Sequence, residues 1–194
     1  MHRQPSLFGA DVTDPSPADL AGLLAGPGEV RRMGGTARVS VTVDAAWRVH
    51  VLVAEFAARG LAAGWEELPG TGFVVRTAFS SRIMPLAAAW SGGAPAVIYL
   101  AGPGLRLWVA AAGAPAPPDA APRGGFDLRL GPEREDWPAV GAALAAAGLS
   151  ATLVAESPAY RITGRRRLRR LAELVGDRPP AAPVAAWPMS MSLR

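Results

Sequence analysis

The chain has 194 residues, half of them hydrophobic, and a formal net charge of +4. It contains no cysteine, which excludes disulfides, thiol catalysis and thiolate metal sites, and its two histidines argue against an imidazole-based metal site. No apolar run approaches the length of a bilayer span and no secretory signal is visible, so we expect a cytoplasmic protein without a membrane partner.

All 20 basic residues are arginine. Together with the excess of alanine, glycine and proline, this is typical of a GC-rich genome. The positive charge is compatible with a nucleic-acid partner, although four excess charges are modest for this length.

Residues 1–18 are predicted to form a flexible tail, because their prolines and polar side chains disfavour a helix or a central strand. The tail contains the segment Gln4-Pro5-Ser6-Leu7-Phe8, in which two bulky apolar side chains are adjacent on a polar stretch. It resembles the Gln-x-x-Leu-Phe pentapeptide by which bacterial polymerases and repair proteins dock on the DNA sliding clamp. The resemblance implies that Gln4, Leu7 and Phe8 contact the clamp. The alternative is that Leu7 and Phe8 pack against the domain.

The next residues predict one α+β unit. In chain order, its elements are a short apolar helix that begins near Leu20 and ends at Gly26-Pro27-Gly28, a strand at Arg38–Val43, a helix at Ala45–Arg59, strands at residues 63–68 and 73–77, and a helix from Ser80 to about Trp90. Asp44 is expected to cap the second helix. The buried stripe of that helix would consist of Trp47, Val51, Ala54 and Ala58.

A similar order of elements follows. It consists of strands at residues 96–100 and 105–110, a flexible loop at 111–125, a strand at 126–130, a helix at 136–147, strands at 151–155 and 159–163, and a helix at 165–175, before a proline-rich tail at 179–194.

The two series of elements share short sequences at matching places. Arg59-Gly60-Leu61 corresponds to Ala147-Gly148-Leu149, and Val75-Arg76-Thr77 corresponds to Arg161-Ile162-Thr163, at separations of 86–88 residues. This predicts an internal duplication of β-α-β-β-α units, with halves at 19–95 and 96–178. Leu-Ala-Gly-Pro-Gly also occurs twice, at 24–28 and 100–104, but its different spacing is interpreted as coincidence.

The segment that begins Leu20-Ala21-Gly22-Leu23-Leu24 and ends in Gly28 resembles the signature helix of the LAGLIDADG fold. This fold occurs in homing endonucleases and in the DNA-binding domain of an actinobacterial sporulation-regulator family. The resemblance covers roughly residues 19–176 and implies a saddle-shaped sheet whose concave face lies on the DNA major groove, with helices behind. A second, eroded signature is expected between Leu86 and Val97.

The resemblance also implies where a nuclease would hold its metal, because an acidic residue at the end of each signature helix binds the divalent cation in such enzymes. Pro27 stands at that place in the first half, Glu29 is displaced by two residues, and no carboxylate occurs between Leu86 and Arg106. We therefore expect no metal, no cofactor and no enzymatic activity.

The strand alternation indicates which polar side chains would face double-stranded DNA. The predicted contacts are Arg38, Ser40 and Thr42 in the first half, Arg106 and Arg129 in the second, and Arg76 and Arg161 on the returning strands. The alternative is that these side chains simply solvate an open sheet face.

The densest basic run is Arg165-Arg166-Arg167-Leu168-Arg169-Arg170, which opens the last helix. Positive charge there opposes the helix macrodipole, so a phosphate or an acidic partner is expected for Arg165, Arg166 and Arg167. The implied geometry places this helix behind the saddle, and the sequence leaves its partner open.

These observations favour a non-catalytic, monomeric, nucleoid-associated accessory protein of DNA replication or repair, tethered to the sliding clamp by its tail. One alternative is a transcriptional regulator, although no helix-turn-helix follows the domain. Another is a protein-interaction module without DNA binding.

Overall fold

The computed structural model describes residues 14–132 and 137–188. Its first half is an antiparallel sheet of order β1-β2-β4-β3, with helices packed against one face. The elements are a 3-10 turn at Pro17–Leu20, α1 (Ala21–Ala25), β1 (Glu29–Met33), β2 (Thr36–Val43), α2 (Ala46–Ala58), β3 (Ala63–Leu68), β4 (Gly72–Thr77), a 3-10 turn at Ser81–Ile83 and α3 (Met84–Ala89).

The second half repeats this plan as a sheet of order β5-β6-β8-β7. Its elements are α4 (Gly102–Ala112), β5 (Gly113–Pro115), β6 (Gly125–Arg129), α5 (Trp137–Ala146), β7 (Thr152–Val154), β8 (Ala159–Thr163) and α6 (Arg165–Val175), followed by a 3-10 turn at Val184–Ala186. The α+β class and the predicted duplication are therefore confirmed.

The shared sequences mark equivalent turns. Gly60 and Gly148 each follow a helix with a left-handed φ, of 66° and 81°. In both turns the next residue, Leu61 or Leu149, donates its backbone N–H to a carbonyl five residues earlier. Glycine adopts this conformation without the strain that a Cβ would cause, which explains why the same turn recurs.

Each unit begins with a helix and a hairpin strand. The sequence predicted the first of these helices, α1, but neither hairpin strand. β1 pairs with β2 from Glu29 opposite Ser40 to Met33 opposite Thr36. Four of its five residues are exposed, so β1 has no alternation of apolar and polar side chains by which it could be recognised.

The predicted strand at 105–110 and the predicted second signature helix at 86–97 are both wrong. Residues 105–110 lie in α4, which is the helix that packs against α1. Because α4 lies at the centre of the molecule, Leu105, Leu107, Trp108 and Val109 are all fully buried. Apart from Arg106, α4 is apolar on every side, so its sequence has little 3.6-residue periodicity and the letters around Arg106 alternate like those of a strand.

The connections around α4 also differ from the prediction. Residues 96–100 form no strand, although the side chains of Ile98 and Leu100 are buried and those of Val97 and Tyr99 are exposed. The expected loop at 111–125 contains the end of α4 and the short strand β5.

The predicted face of α2 is half wrong, although Trp47 is partly buried and packs against the core. Val51 is buried as expected, but Ala54 and Ala58 are exposed, and the helix packs through side chains that include Leu52 and Phe56. Asp44 does not cap the helix, because the N-cap residue is Ala45 and the Asp44 carboxylate binds arginines instead.

Glycine allows α1 and α4 to approach closely. A Cβ built on Gly22 would lie 1.9 Å from the carbonyl oxygen of Gly104, and one on Gly26 would lie 2.4 Å from Nε1 of Trp108. No side chain fits at these distances, so the two halves share one core across a backbone-to-backbone contact.

We expect Gly22→Ala to lower the free energy of unfolding by about 2–3 kcal/mol, because the methyl group must push α4 away. Urea unfolding followed by circular dichroism measures this change. Gly35→Ala is the matched control, because nothing lies within 4 Å of a Cβ there. Equal stability of the two variants would contradict the close packing.

Candidate nucleic-acid interface

The first sheet presents a row of polar side chains on the face opposite the helices. Val39, Val41 and Val43 point into the core, so the alternating residues Arg38, Ser40 and Thr42 lie on the open face. The strand register adds two arginines to this face, since Arg31 is opposite Arg38 and Arg76 is opposite Ser40.

The second sheet has a corresponding face, which is less exposed. Asp127 and Arg129 alternate with Leu128, and Arg161 is the partner of Asp127 on β8, but Asp127 is buried and the Arg161 side chain is 16% exposed. Of the seven predicted strand residues, six therefore lie on these faces of the sheets. The exception is Arg106.

Most arginines of the open faces are neutralised by carboxylates. Arg161 binds Asp127 through two hydrogen bonds of 2.8 Å, and this interaction raises the pKa of Arg161. Arg76 forms an ion pair with Glu66, and Arg129 forms one of 2.7 Å with Asp44. Binding of a phosphate by these arginines would require exchange of one anion for another.

Arg38 is held differently. Its guanidinium carbon lies 4.8 Å from the centroid of the Phe79 ring, and its Nε is buried without a hydrogen-bond partner in the described part of the chain. Neither Arg38 nor Arg31 forms an ion pair with another described residue. Sequence reasoning missed Arg31 because β1 was not recognised.

A buried arginine closes the end of α4. Arg48 is 4% exposed and donates hydrogen bonds to the carbonyl oxygens of Val109, Ala110 and Gly113 at 3.3, 2.9 and 2.8 Å. Arg129 reaches the same helix end, since its Nε donates to the carbonyl of Ala112 at 3.4 Å. The carbonyls of Ala110 and Ala112 belong to the last turn of α4, where the helix supplies no further amide partners, so the two guanidiniums stabilise its negative end.

Asp44 bridges the two guanidiniums, 2.8 Å from Nε of Arg48 and 2.7 Å from Nη2 of Arg129. Burial alone would raise the pKa of Asp44, but the hydrogen bonds and charges of the two arginines outweigh it and hold the pKa below its usual value. For Arg48 the effect of burial is the larger one and lowers its pKa, although the neighbouring carboxylate of Asp44 acts to raise it. We call Asp44, Arg48 and Arg129 the junction cluster. The sequence did not predict this cluster, because the contact between Arg48 and the Val109 carbonyl joins residues that are 61 positions apart.

The junction cluster lies at the end of α4, the helix that packs against α1. Its two guanidiniums repel a divalent cation. Among residues 14–132 and 137–188, no group of three or more histidine, aspartate or glutamate side chains could hold a metal ion.

Arg106 is not on an open face, and that prediction is wrong. It projects from α4 on the helical side, where its Nε lies 2.6 Å from Glu55 and its Nη1 donates to the carbonyls of Val175 and Asp177 at 2.8 and 2.6 Å. Its guanidinium also stacks 5.2 Å from the ring of Trp187. Through these contacts Arg106 connects α2 and the end of α6 with α4.

Arg165, Arg166 and Arg167 lie on α6, behind the second sheet, and all three are exposed. They are not brought together with the open-face arginines. Gln4, Leu7 and Phe8 lie outside the described residues.

None of the helices in the described ranges is both long and apolar enough to cross a membrane.

A scan against protein-family models and a search of curated proteins each find no match. Solved structures do match. The N-terminal LAGLIDADG domain of DUF199/WhiA aligns with 87% of this chain and 88% of its own length, at a TM-score of 0.55 and 13% identity. Full-length DUF199/WhiA from Thermatoga maritima aligns with 88% of this chain and 60% of its own length, at a TM-score of 0.59 and 12% identity.

The homing endonuclease I-WcaI, solved bound to its DNA recognition sequence, aligns with 84% of this chain and 82% of its own length, at a TM-score of 0.54 and 10% identity. Identities this low establish the architecture and not the activity. The chain therefore has a LAGLIDADG-like fold.

We expect Asp44→Asn to lower the free energy of unfolding by about 1 kcal/mol at pH 7, because a half-exposed, charge-assisted contact is lost. The folded-state pKa of Asp44 lies below its unfolded value, so the contribution is present above about pH 4 and disappears as the pH falls through the folded-state pKa. Urea unfolding of both proteins at pH 7 and at about pH 2.5 measures the difference.

Glu156→Gln is the control, because Glu156 is exposed and forms no ion pair with the described residues. A difference between wild type and Asp44→Asn that is the same at both pH values would contradict the charge argument.

Proposed function

We propose that this protein binds duplex DNA through the open faces of its two sheets and does not cleave it. The observation that carries the proposal is the strand register, which places Arg38, Arg76, Arg129 and Arg161 on open faces of a LAGLIDADG-like fold. A solved protein of similar architecture, I-WcaI, is bound to its DNA recognition sequence. Arginine forks onto phosphates and onto guanine edges, which suits such a surface.

The pairing pattern supports moderate and salt-sensitive affinity. Arg31 and Arg38 contact no carboxylate among the described residues, so they can bind a phosphate without breaking an ion pair. Arg76 and Arg161 must first leave Glu66 and Asp127. Part of the electrostatic gain on DNA is offset by these lost pairs.

The absence of cleavage is proposed from the helix ends. Metal-assisted hydrolysis of a phosphodiester needs hard oxygen ligands around the cation. Pro27 follows α1, and the junction cluster places guanidiniums at the end of α4. Neither proline nor a guanidinium is a ligand for the cation that would activate water.

We expect Arg38→Ala with Arg76→Ala to weaken duplex binding by about tenfold and to reduce the salt slope by about 1.8, the value for two phosphate contacts. Fluorescence anisotropy with a labelled duplex of about 30 base pairs, at several salt concentrations, measures both quantities.

The control is Arg32→Ala with Arg82→Ala, which removes two exposed arginines away from the open face. Binding by the open-face variant that equals wild-type binding would contradict the proposed site. The same duplex should remain intact with Mg²⁺, and cleavage by the wild type would overturn the non-catalytic proposal.

The finer proposal is that the N-terminal pentapeptide tethers this protein to the DNA sliding clamp, as a monomeric accessory factor of replication or repair at the nucleoid. A tether raises the local concentration of a weak DNA binder, so a modest intrinsic affinity for DNA would suffice. Two adjacent apolar anchors, Leu7 and Phe8, beside the amide of Gln4 suit a shallow apolar pocket with a polar rim.

Calorimetric titration of the full chain against the sliding clamp of its own organism tests the tether. We expect micromolar binding that disappears when Gln4, Leu7 and Phe8 are all replaced by alanine, because these side chains supply the anchors. No binding by the intact chain would rule the tether out and leave the DNA-binding proposal standing.

A transcriptional regulator is the second candidate, favoured by the likeness to the LAGLIDADG domain of DUF199/WhiA. Sequence-specific binding would distinguish it. Selection of duplexes from a random pool should enrich a motif for a regulator and none for a clamp-tethered accessory factor.

A further inference from the structure

The last helix presents a row of arginines on the side of the second sheet that faces away from the proposed DNA site. Leu171, Ala172 and Val175 bury one side of α6. The opposite stripe consists of Arg165, Arg166, Arg169 and Arg170, all of them exposed, and we call it the α6 arginine face.

This face is less neutralised than the open faces. Among the described residues, Glu173 is its one ion-pair partner, 3.1 Å from Arg169, and both side chains of that pair are about half exposed or more. Such a surface pair contributes little. Arg165, Arg166 and Arg170 form no ion pair with any described carboxylate. Their charge is available to an external anion.

The face is also concave. A cleft of about 510 Å³ separates α6 from the turn at Gly148 and is lined by Arg166, Arg167, Arg169, Arg170, Glu173 and Gly148. The Arg167 side chain on one side of the cleft is held in place, because its Nη1 donates a hydrogen bond to the carbonyl of Ser150 at 3.1 Å. A groove rimmed by guanidiniums concentrates positive potential more than a flat surface does.

The cleft lining identifies the chemistry of the partner. Among the described residues that line it, none has an aromatic or aliphatic side chain of the kind that anchors a protein partner, since interfaces between proteins depend on buried apolar contacts. The same described lining has no aromatic ring on which an unpaired base could stack. Guanidiniums without either feature suit the sugar–phosphate backbone of a duplex.

We propose that the α6 arginine face is a second DNA-binding surface, which holds the phosphate backbone of a duplex without sequence preference. It lies on the helical side of the molecule, opposite the open faces. One copy of the protein therefore binds two duplex segments, one on each side, and brings them together.

The test uses the full chain and the pair Arg166→Ala with Arg170→Ala, two cleft residues that make no hydrogen bond with other described side chains. Biotinylated duplex on beads captures the protein, and a second, fluorescent duplex then reports bridging. We expect at least a fivefold loss of fluorescent capture by the double variant. Its salt slope in single-duplex anisotropy should fall by about 1.8.

Two controls separate charge from folding. Arg166→Lys with Arg170→Lys keeps the charge and should retain capture within about threefold. Arg32→Ala with Arg82→Ala removes the same charge elsewhere and should retain it fully. Unchanged capture and salt slope in the double alanine variant, or binding of poly-L-glutamate in place of duplex, would overturn the proposal.

The proposed open-face site can fail independently. In the Arg38→Ala, Arg76→Ala background, residual duplex binding that the α6 substitutions remove supports the second surface, whatever the open face does. If the α6 substitutions change nothing while the open-face substitutions abolish binding, the second surface is disproved and the proposed function remains.

Discussion

The structure depends on the contact between α1 and α4, where no side chain fits between two backbones. Gly22 meets the carbonyl of Gly104 at a distance that excludes even a methyl group, and Gly26 faces the indole of Trp108. Close packing at this contact joins the two units into one core, with α4 at its centre. Burial of α4 on all sides then fixes the position of both sheets, since α4 contacts β2 in one and β6 in the other.

A helix buried this deeply must satisfy its terminal carbonyls without water. Arg48 and Arg129 do so, and Asp44 balances their charge. An arrangement that stabilises the helix end thereby also determines its electrostatics, because two guanidiniums and one carboxylate leave this end of α4 with a net positive charge. The same contacts join the two units, since Asp44 follows β2 and Arg129 ends β6.

Three groups of arginines have different physical roles. Arg48 and Arg59 are buried and Arg106 is partly buried, and backbone carbonyls and carboxylates hold all three. On the open faces Arg76 and Arg161 pair across strands and Arg129 pairs with Asp44, whereas Arg31 and Arg38 form no ion pair with the described residues. The α6 arginine face is largely unpaired. A net charge of +4 does not reveal this distribution, which decides where a polyanion gains most from binding.

The sequence by itself determined the α+β class, the duplication and the open-face positions of Arg38, Ser40, Thr42, Arg129 and Arg161. These follow from local patterns, namely the two-residue alternation of strands and the glycine that ends α2 and α5. Only the tertiary structure decided that residues 105–110 are helical, that Arg106 lies on the helical side and that Asp44 joins the junction cluster. The physical reason is that burial on all sides erases periodicity, and that contacts spanning 40 to 85 residues have no local signal.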